Sequence, residues 1–163
     1  MLDILSDEAI IEEPIETVTG TASASSSLEW GDWISIRNAI YDQINGNFYH
    51  SDPWSDTDFP WYQYQLPEKE NISGLTLVNR EDCSGERLRN VEIRAGLDAA
   101  TKANKGIPLS NLIHLSGVLP GPGVTGERYK IICENGPIET KYVTIQIMEQ
   151  GILQISEIEL IGV

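Results

Sequence analysis

Residues 72–95 read ISGLTLVNREDCSGERLRNVEIRA, and this stretch decides the fold class. Towards its end Val91, Ile93 and Ala95 alternate with Glu92 and Arg94, the period of two that half-buries a strand. At its start ISGLTLV (72–78) is a short aliphatic and β-branched run that stops at Asn79. Between them NREDCSGERL (79–88) is polar, charged and broken by Gly85, so the whole reads as strand, loop, strand.

The same punctuation continues outward in both directions. WYQYQL (61–66), YKIIC (129–133), YVTIQI (142–147) and ILQISEIEL (152–160) are short runs rich in β-branched and aromatic residues, bounded by Gly, Pro, Asn or Asp. Their spacing predicts an all-β fold, an antiparallel sandwich or barrel, with Trp61 buried. No long helix is written. Residues 34–40 fit either a short helical turn or a strand, and PGPGVTG (120–126) is a constrained loop.

At 163 residues and 40% apolar, the chain suits one domain around one core. No stretch nears the roughly 20 consecutive apolar residues of a membrane span. Eleven basic against 25 acidic side chains leave a formal charge of −14. That field opposes phosphate backbones and anionic lipid surfaces, so neither nucleic acid binding nor membrane insertion is expected. Residues 1–18 carry Asp3, Asp7, Glu8, Glu12, Glu13 and Glu16 without a base, an acidic N-terminal arm ahead of a folded domain at 19–163. The arm is either solvated or docks through Leu2, Ile4, Leu5, Ile10 and Ile11 on the domain or a neighbouring subunit. Its sequence has no basic n-region or small-residue cleavage site, so no signal peptide is expected in it. Two cysteines, Cys83 and Cys133, exclude a disulfide scaffold.

The chemistry concentrates at 79–88. Arg80 and Arg87 offer planar, permanently charged donors, and Asp82 can lock a guanidinium through a charge-assisted pair. The set suits a neutral polar ligand with adjacent hydroxyls; the alternative is a solvated loop of ion pairs among Arg80, Asp82, Glu86 and Arg87. No enzyme is expected. The chain lacks G-x-S-x-G, a phosphate-cradling glycine loop and H-E-x-x-H, and its two histidines and two cysteines are far apart in sequence.

NREDCSGERL resembles the Arg-x-Asp-x4-Arg/Lys stretch of the F-type lectins, the fucolectins, matching at Asn79, Arg80, Asp82, Cys83, Gly85, Glu86, Arg87 and Leu88. NAI (38–40), NFYH (47–50), PW (60–61), KYVTIQI (141–147) and ISEIEL (155–160) match the same family in the same order. The resemblance covers roughly residues 20–163 and implies a discoidin-like, jelly-roll β-sandwich with its ligand site on loops at one end. It implies a lectin that recognises terminal L-fucose on glycans, working outside the cell or on a virion or cell surface. The alternative is a discoidin-type structural or protein-binding module that has lost the sugar site.

Carried over by position, Arg80 and Arg87 donate to the ring oxygen and hydroxyls of fucose and Asp82 orients them. His50 is the third polar ligand, unless the loop register hands that role to Asp52, Ser55 or Asp56. Phe48 and Tyr49, with Trp54 or Trp30 and Trp33, are candidates for the apolar wall against the C6 methyl. The family often stacks a disulfide of adjacent cysteines on the sugar; here Ser84 follows Cys83, so Cys83 makes a different contact and no Cys83–Cys133 bridge is implied. A structural calcium is implied at Asn38, Asp42, Gln43, Asp52, Ser156 and Glu157, although Tyr41 stands where the family's NAIDG pattern has its carboxylate. Single sugar sites are weak, so a homo-oligomer or multivalent display is expected.

Overall fold

The computed structural model describes residues 13–17, 19–40, 46–110 and 112–163. In chain order the strands are β1 (Glu13–Ile15), β2 (Thr21–Ala24), β3 (Tyr49–His50), β4 (Trp61–Val78), β5 (Val91–Gly96), β6 (Ile113–His114), β7 (Arg128–Ile132), β8 (Ile138–Ile147), β9 (Gln154–Ile155) and β10 (Glu157–Gly162). The helical content among the described residues is three 3-10 turns, Ile36–Ala39, Gly85–Arg87 and Lys102–Asn104.

One strand organises the sandwich. The sequence predicts separate strands at 61–66 and 72–78, but β4 runs through both as 18 residues. Its first half lies between β2 and β8, with Ala24 opposite Tyr62 and Gln146 opposite Trp61. Its second half lies between β10 and β7, with Glu157 and Arg128 both opposite Val78. The register with β8 slips between Gln65 and Glu70. Pro67, which has no N–H to offer a ladder, sits in that slip with Glu68 and Lys69, exposed, and Lys141 Nζ donates to its carbonyl at 2.9 Å. The crease lets β4 serve two sheets, β6–β5–β8–β4–β2 and β7–β4–β10–β1.

The two sheets share one core. Tyr62, Tyr64, Leu66, Val91, Ile93, Val143 and Ile145 from the first cluster with Leu75, Leu77, Ile158 and Leu160 from the second. Trp61 is buried as expected, on the outer face of the first sheet with Ala100 and Leu109. Gln63 and Gln146, polar positions of alternating strands, are buried there too. Each spends its amide on the covering segment: Gln63 exchanges bonds with the backbone of Ala100, and Gln146 accepts from Leu109 N at 2.8 Å.

β1 pairs antiparallel with β10, so the sheet already includes 13–15, inside the arm that the sequence set apart. Leu2, Ile4, Leu5, Ile10 and Ile11 lie outside the described residues. The ambiguous 34–40 segment does both things expected of it: Ile34 bridges to Phe48, and Ile36–Ala39 turns. Residues 51–60, 79–90, 120–127 and 148–153 converge where Val78, Trp61, Ile147 and Val91 end or begin their strands. Beside them β3 and β9 form a two-residue ribbon, Tyr49 opposite Ile155 and His50 opposite Gln154.

Candidate functional site

The loop at 79–88 is built around Asn79, which is 1% exposed. Its Nδ2 donates to Gly85 O at 2.9 Å and Val124 O at 3.0 Å, and its Oδ1 accepts from Arg80 N at 2.9 Å. The Gly-Pro loop closes against it, with Gly126 N donating to Arg80 O and Gly123 N to Leu88 O. Gly85 has no room for a side chain, since a Cβ there would stand 2.2 Å from Thr125 N. Ser84 takes the left-handed conformation, φ 59°, at the reversal.

This frame presents Arg80 over the β3–β9 ribbon. Its Nε donates to Asp82 Oδ1 at 2.6 Å, Nη2 to Asp82 Oδ2 at 3.3 Å and Nη1 to Gln154 Oε1 at 3.4 Å. Its Cζ lies 4.2 Å from the centroid of the Phe48 ring, a cation–π contact. Of the five guanidinium N–H groups, three are therefore spent on position and two remain. The hydrogen bond from Arg80 holds the Asp82 carboxyl below its usual range. The Arg87 side chain makes no hydrogen bond or ion pair among the described residues and borders a depression of about 290 Å³ with Glu86, Arg89, Gly151 and Ile152.

His50 is 7% exposed, with Nδ1 2.6 Å from Ser51 O. A carbonyl only accepts, so Nδ1 carries the proton and Nε2 keeps a lone pair. Burial pushes the imidazole below its ordinary pKa, Arg80 and Arg87 push the same way, and the Ser51 bond opposes them. The ring is neutral near pH 7. The site thus combines guanidinium donors with one imidazole acceptor, and contains no nucleophile paired to a base.

The other residues left open for the role of His50 are otherwise occupied. Asp56, 3% exposed, accepts from Ser25 Oγ and Ser26 Oγ, each at 2.6 Å. Asp52 accepts from Trp54 N at 2.9 Å and Ser55 Oγ at 2.8 Å. Those bonds hold its carboxyl below the usual range.

Tyr49 is a correction. Expected against a sugar, it is fully buried, donates to Ser26 O at 2.8 Å and packs 4.7 Å from the Tyr62 ring. Successive strand residues face opposite ways, so the residue between Phe48 and His50 points into the main core. Phe48 has no exposed surface either and acts as the floor beneath Arg80. Exposed aromatic surface near it comes from Trp33, whose ring meets Phe48 edge-on at 6.1 Å. Cys83 is exposed and Cys133 buried, both free thiols.

Gln154 was not singled out in the sequence. It is 3% exposed, its Oε1 takes Arg80, and its Nε2 is buried without a partner among the described residues. The available signal was one amide inside the apolar run ILQISEIEL. Of the implied calcium ligands, Asn38 is buried and donates its Nδ2 to Asp32 O and Phe48 O, leaving Oδ1 as an acceptor. Ser156 follows the ribbon's last residue, Ile155, with its Oγ buried and without a partner among the described residues, and Glu157 opens β10. Asp42 and Gln43 lie outside the described residues.

Two stacked sheets, with two arginines and an aspartate on a loop at one end beside a neutral imidazole on the β3–β9 ribbon, define a binding module of the discoidin kind. The chain belongs to the F5/8 type C domain family, whose model matches residues 21–158, and within it to the fucolectins. It is 30% identical over 146 residues to the fucolectin of Anguilla anguilla, a match covering 87% of each chain. The family 32 CBM from C. perfringens NanJ in complex with galactose shares the fold at a TM-score of 0.71 and 18% identity, over 93% of this chain and 100% of that one. The F-lectin (fucolectin) from striped bass (Morone saxatilis) serum does so at a TM-score of 0.68 and 24% identity, over 92% of this chain and 49% of that one. The family is one of lectins and discoidin-type binding domains, not of enzymes.

Proposed function

We propose that this chain is a carbohydrate-binding lectin whose site takes terminal L-fucose. The observation that carries the reading is Arg80, fixed by Asp82, Gln154 and Phe48 with two N–H groups to spare, beside the neutral His50 and the unpaired Arg87. Vicinal sugar hydroxyls both donate and accept. They use the guanidinium donors and the Nε2 lone pair together, whereas an anion would use the donors alone. The half-exposed ring of Trp33, in contact with Phe48, offers an apolar surface against which a C6 methyl would lie.

A calcium ion beside the ribbon belongs to the same reading. The Asn38 Oδ1, the orphaned Ser156 Oγ and the Glu157 carboxylate are hard oxygen donors of the kind the ion prefers. These residues fit, and the ion would brace the β3–β9 ribbon under Arg80. The lectin would work outside the cell or on a surface, displayed in several copies so that weak single sites add up.

Calorimetric titration with L-fucose, with D-galactose as control, in calcium and again after chelation, tests this. Heat with fucose and not with galactose supports the reading, and its loss on chelation supports the ion. Heat with galactose alone would move the specificity to that sugar. No heat with either would make the chain a discoidin-type structural or protein-binding module.

A further inference from the structure

A second aromatic surface adjoins this site. Trp30 is 49% exposed, Trp54 is 74% exposed, and their rings lie 6.1 Å apart with 36° between planes. They come from different loops, and carboxylates brace each loop. Glu29 accepts from Ser27 Oγ, Ser35 Oγ and Ile36 N, closing the turn that holds Trp30 and Trp33. Asp52 takes Trp54 N, and Asp56 ties the Trp54 turn to Ser25 and Ser26. Leu28, Ile34 and Phe48 form a small core beneath the first loop, seating it on the floor of the arginine site. Large apolar side chains held rigidly in water mark a contact surface.

The surroundings select the occupant. Continuity runs from Trp33 to Phe48 at 6.1 Å and from Phe48 to His50 at 6.2 Å, so the loop carrying Trp30 starts at the sugar-binding residues. Glu29, Asp32 and Asp52 flank the tryptophans in sequence, and the chain carries −14 overall. An anionic lipid surface is therefore repelled. A pyranose ring suits both features: its C–H face stacks on indole, and its hydroxyls donate to carboxylates.

We propose that the Trp30–Trp54 pair is a second subsite, which stacks against a sugar unit further along a glycan whose terminal residue sits at Arg80 and His50. The inference rests on the lectin reading above and extends it: the chain prefers fucosylated oligosaccharides to free fucose, and the preference resides in these two side chains.

The test titrates the wild-type chain, Trp54→Ala and Trp30→Ala with L-fucose, 2′-fucosyllactose and 3-fucosyllactose, the trisaccharides leaving fucose in different directions. The wild type should bind at least one trisaccharide about tenfold more tightly than fucose. Each variant should lose most of that gain, bind free fucose within twofold of wild type, and keep its melting temperature, because Trp54 is mostly and Trp30 about half solvent-facing and neither belongs to a core cluster. A trisaccharide-to-fucose ratio unchanged by both variants, or equal wild-type affinity for all three sugars, would overturn the subsite and leave the fucose site standing. No heat with any sugar would overturn the lectin reading and the subsite with it. Sedimentation of the same proteins adds a check: a sugar-free oligomer that dissociates in Trp54→Ala would assign the pair to contacts between copies and overturn the proposal.

Discussion

The loops at 79–88 and 51–59 stand side by side at one end of the sandwich and are made rigid by different means. The first rests on a neutral amide, Asn79, and on backbone bonds to the 120–126 loop, with Gly85 pressed against Thr125. The second rests on two carboxylates, Asp52 and Asp56, that gather Trp54 N and three serine hydroxyls. A frame of amides does not titrate, so Arg80 keeps its support at any moderate pH. A frame of carboxylates rests instead on charge-assisted bonds, stronger than neutral ones. The two frames differ in kind, neutral amide and backbone bonds under the arginine and charge-assisted bonds under its aromatic neighbour, so each can be loosened by its own substitution.

The comparison breaks most completely at the side chain shared by the site and its supports. Arg80→Ala should remove fucose binding from a calorimetric titration, since a charged donor is worth about 1.5–3 kcal/mol. It should also uncover Phe48 and free Gln154. The melting temperature should change little, because the Asp82 end of the ion pair is half exposed and such pairs contribute little to stability. Retained binding in this variant would show that the polar site lies elsewhere.

Next in size is the frame itself. Asn79→Ala leaves the Gly85 and Val124 carbonyls without their donor and should cost about 1–3 kcal/mol of stability, read by denaturant titration. Fucose affinity should fall with it, because Arg80 is reached through this loop. Its counterpart, Asp56→Ala, should cost a similar amount, again about 1–3 kcal/mol, but act on the other loop. Trp54 fluorescence should change while fucose affinity stays within about threefold. If both variants reduce fucose binding equally, the two loops are one unit and the comparison fails.

The smallest effect is the pH response. The folded state depresses the His50 pKa from 6.5, so below 6.5 the unfolded chain binds more protons than the folded one and stability falls on acidification. The loss ends once pH is below the folded value. Fucose affinity should decline at the lower end of that window, as pH reaches the depressed folded value, Nε2 gains a proton and a third cation joins Arg80 and Arg87. Asp52 and Asp82 respond later. Their folded values lie below 3.8, so their contribution is present above that pH and is lost as pH falls through the depressed values. His50→Gln should abolish the upper step, and affinity measured from pH 7.5 to 5 checks it.

Much of this was legible in the sequence. The strand, loop and strand at 72–95 are in the fold, as β4, a 3-10 turn and β5. Asp82 grips Arg80, as the spacing of two suggested. What was not legible has specific causes. Pro67 and three charged neighbours read as a break between strands, yet they form an outward crease in a continuous one. Gln63 and Gln146 alternate as solvent-facing residues do, and are buried because residues 100–109 fold back over them. Tyr49 neighbours His50 in sequence, but the two leave the strand on opposite faces. The role of Gln154 was hidden because its partner, Arg80, is 74 residues away.

By itself the sequence determined the class of fold, the loop that carries the arginines and the family to which they belong. Strand periodicity, turn residues and a ten-residue motif are local patterns, readable without knowing what packs on what. The tertiary structure alone decided which face of β3 meets the core, that Asp56 serves Ser25 and Ser26 rather than a ligand, and that Trp30 meets Trp54. Each of those outcomes joins residues more than ten positions apart. The contact exists only once the sheets have stacked and the loops between them have been brought to the same end.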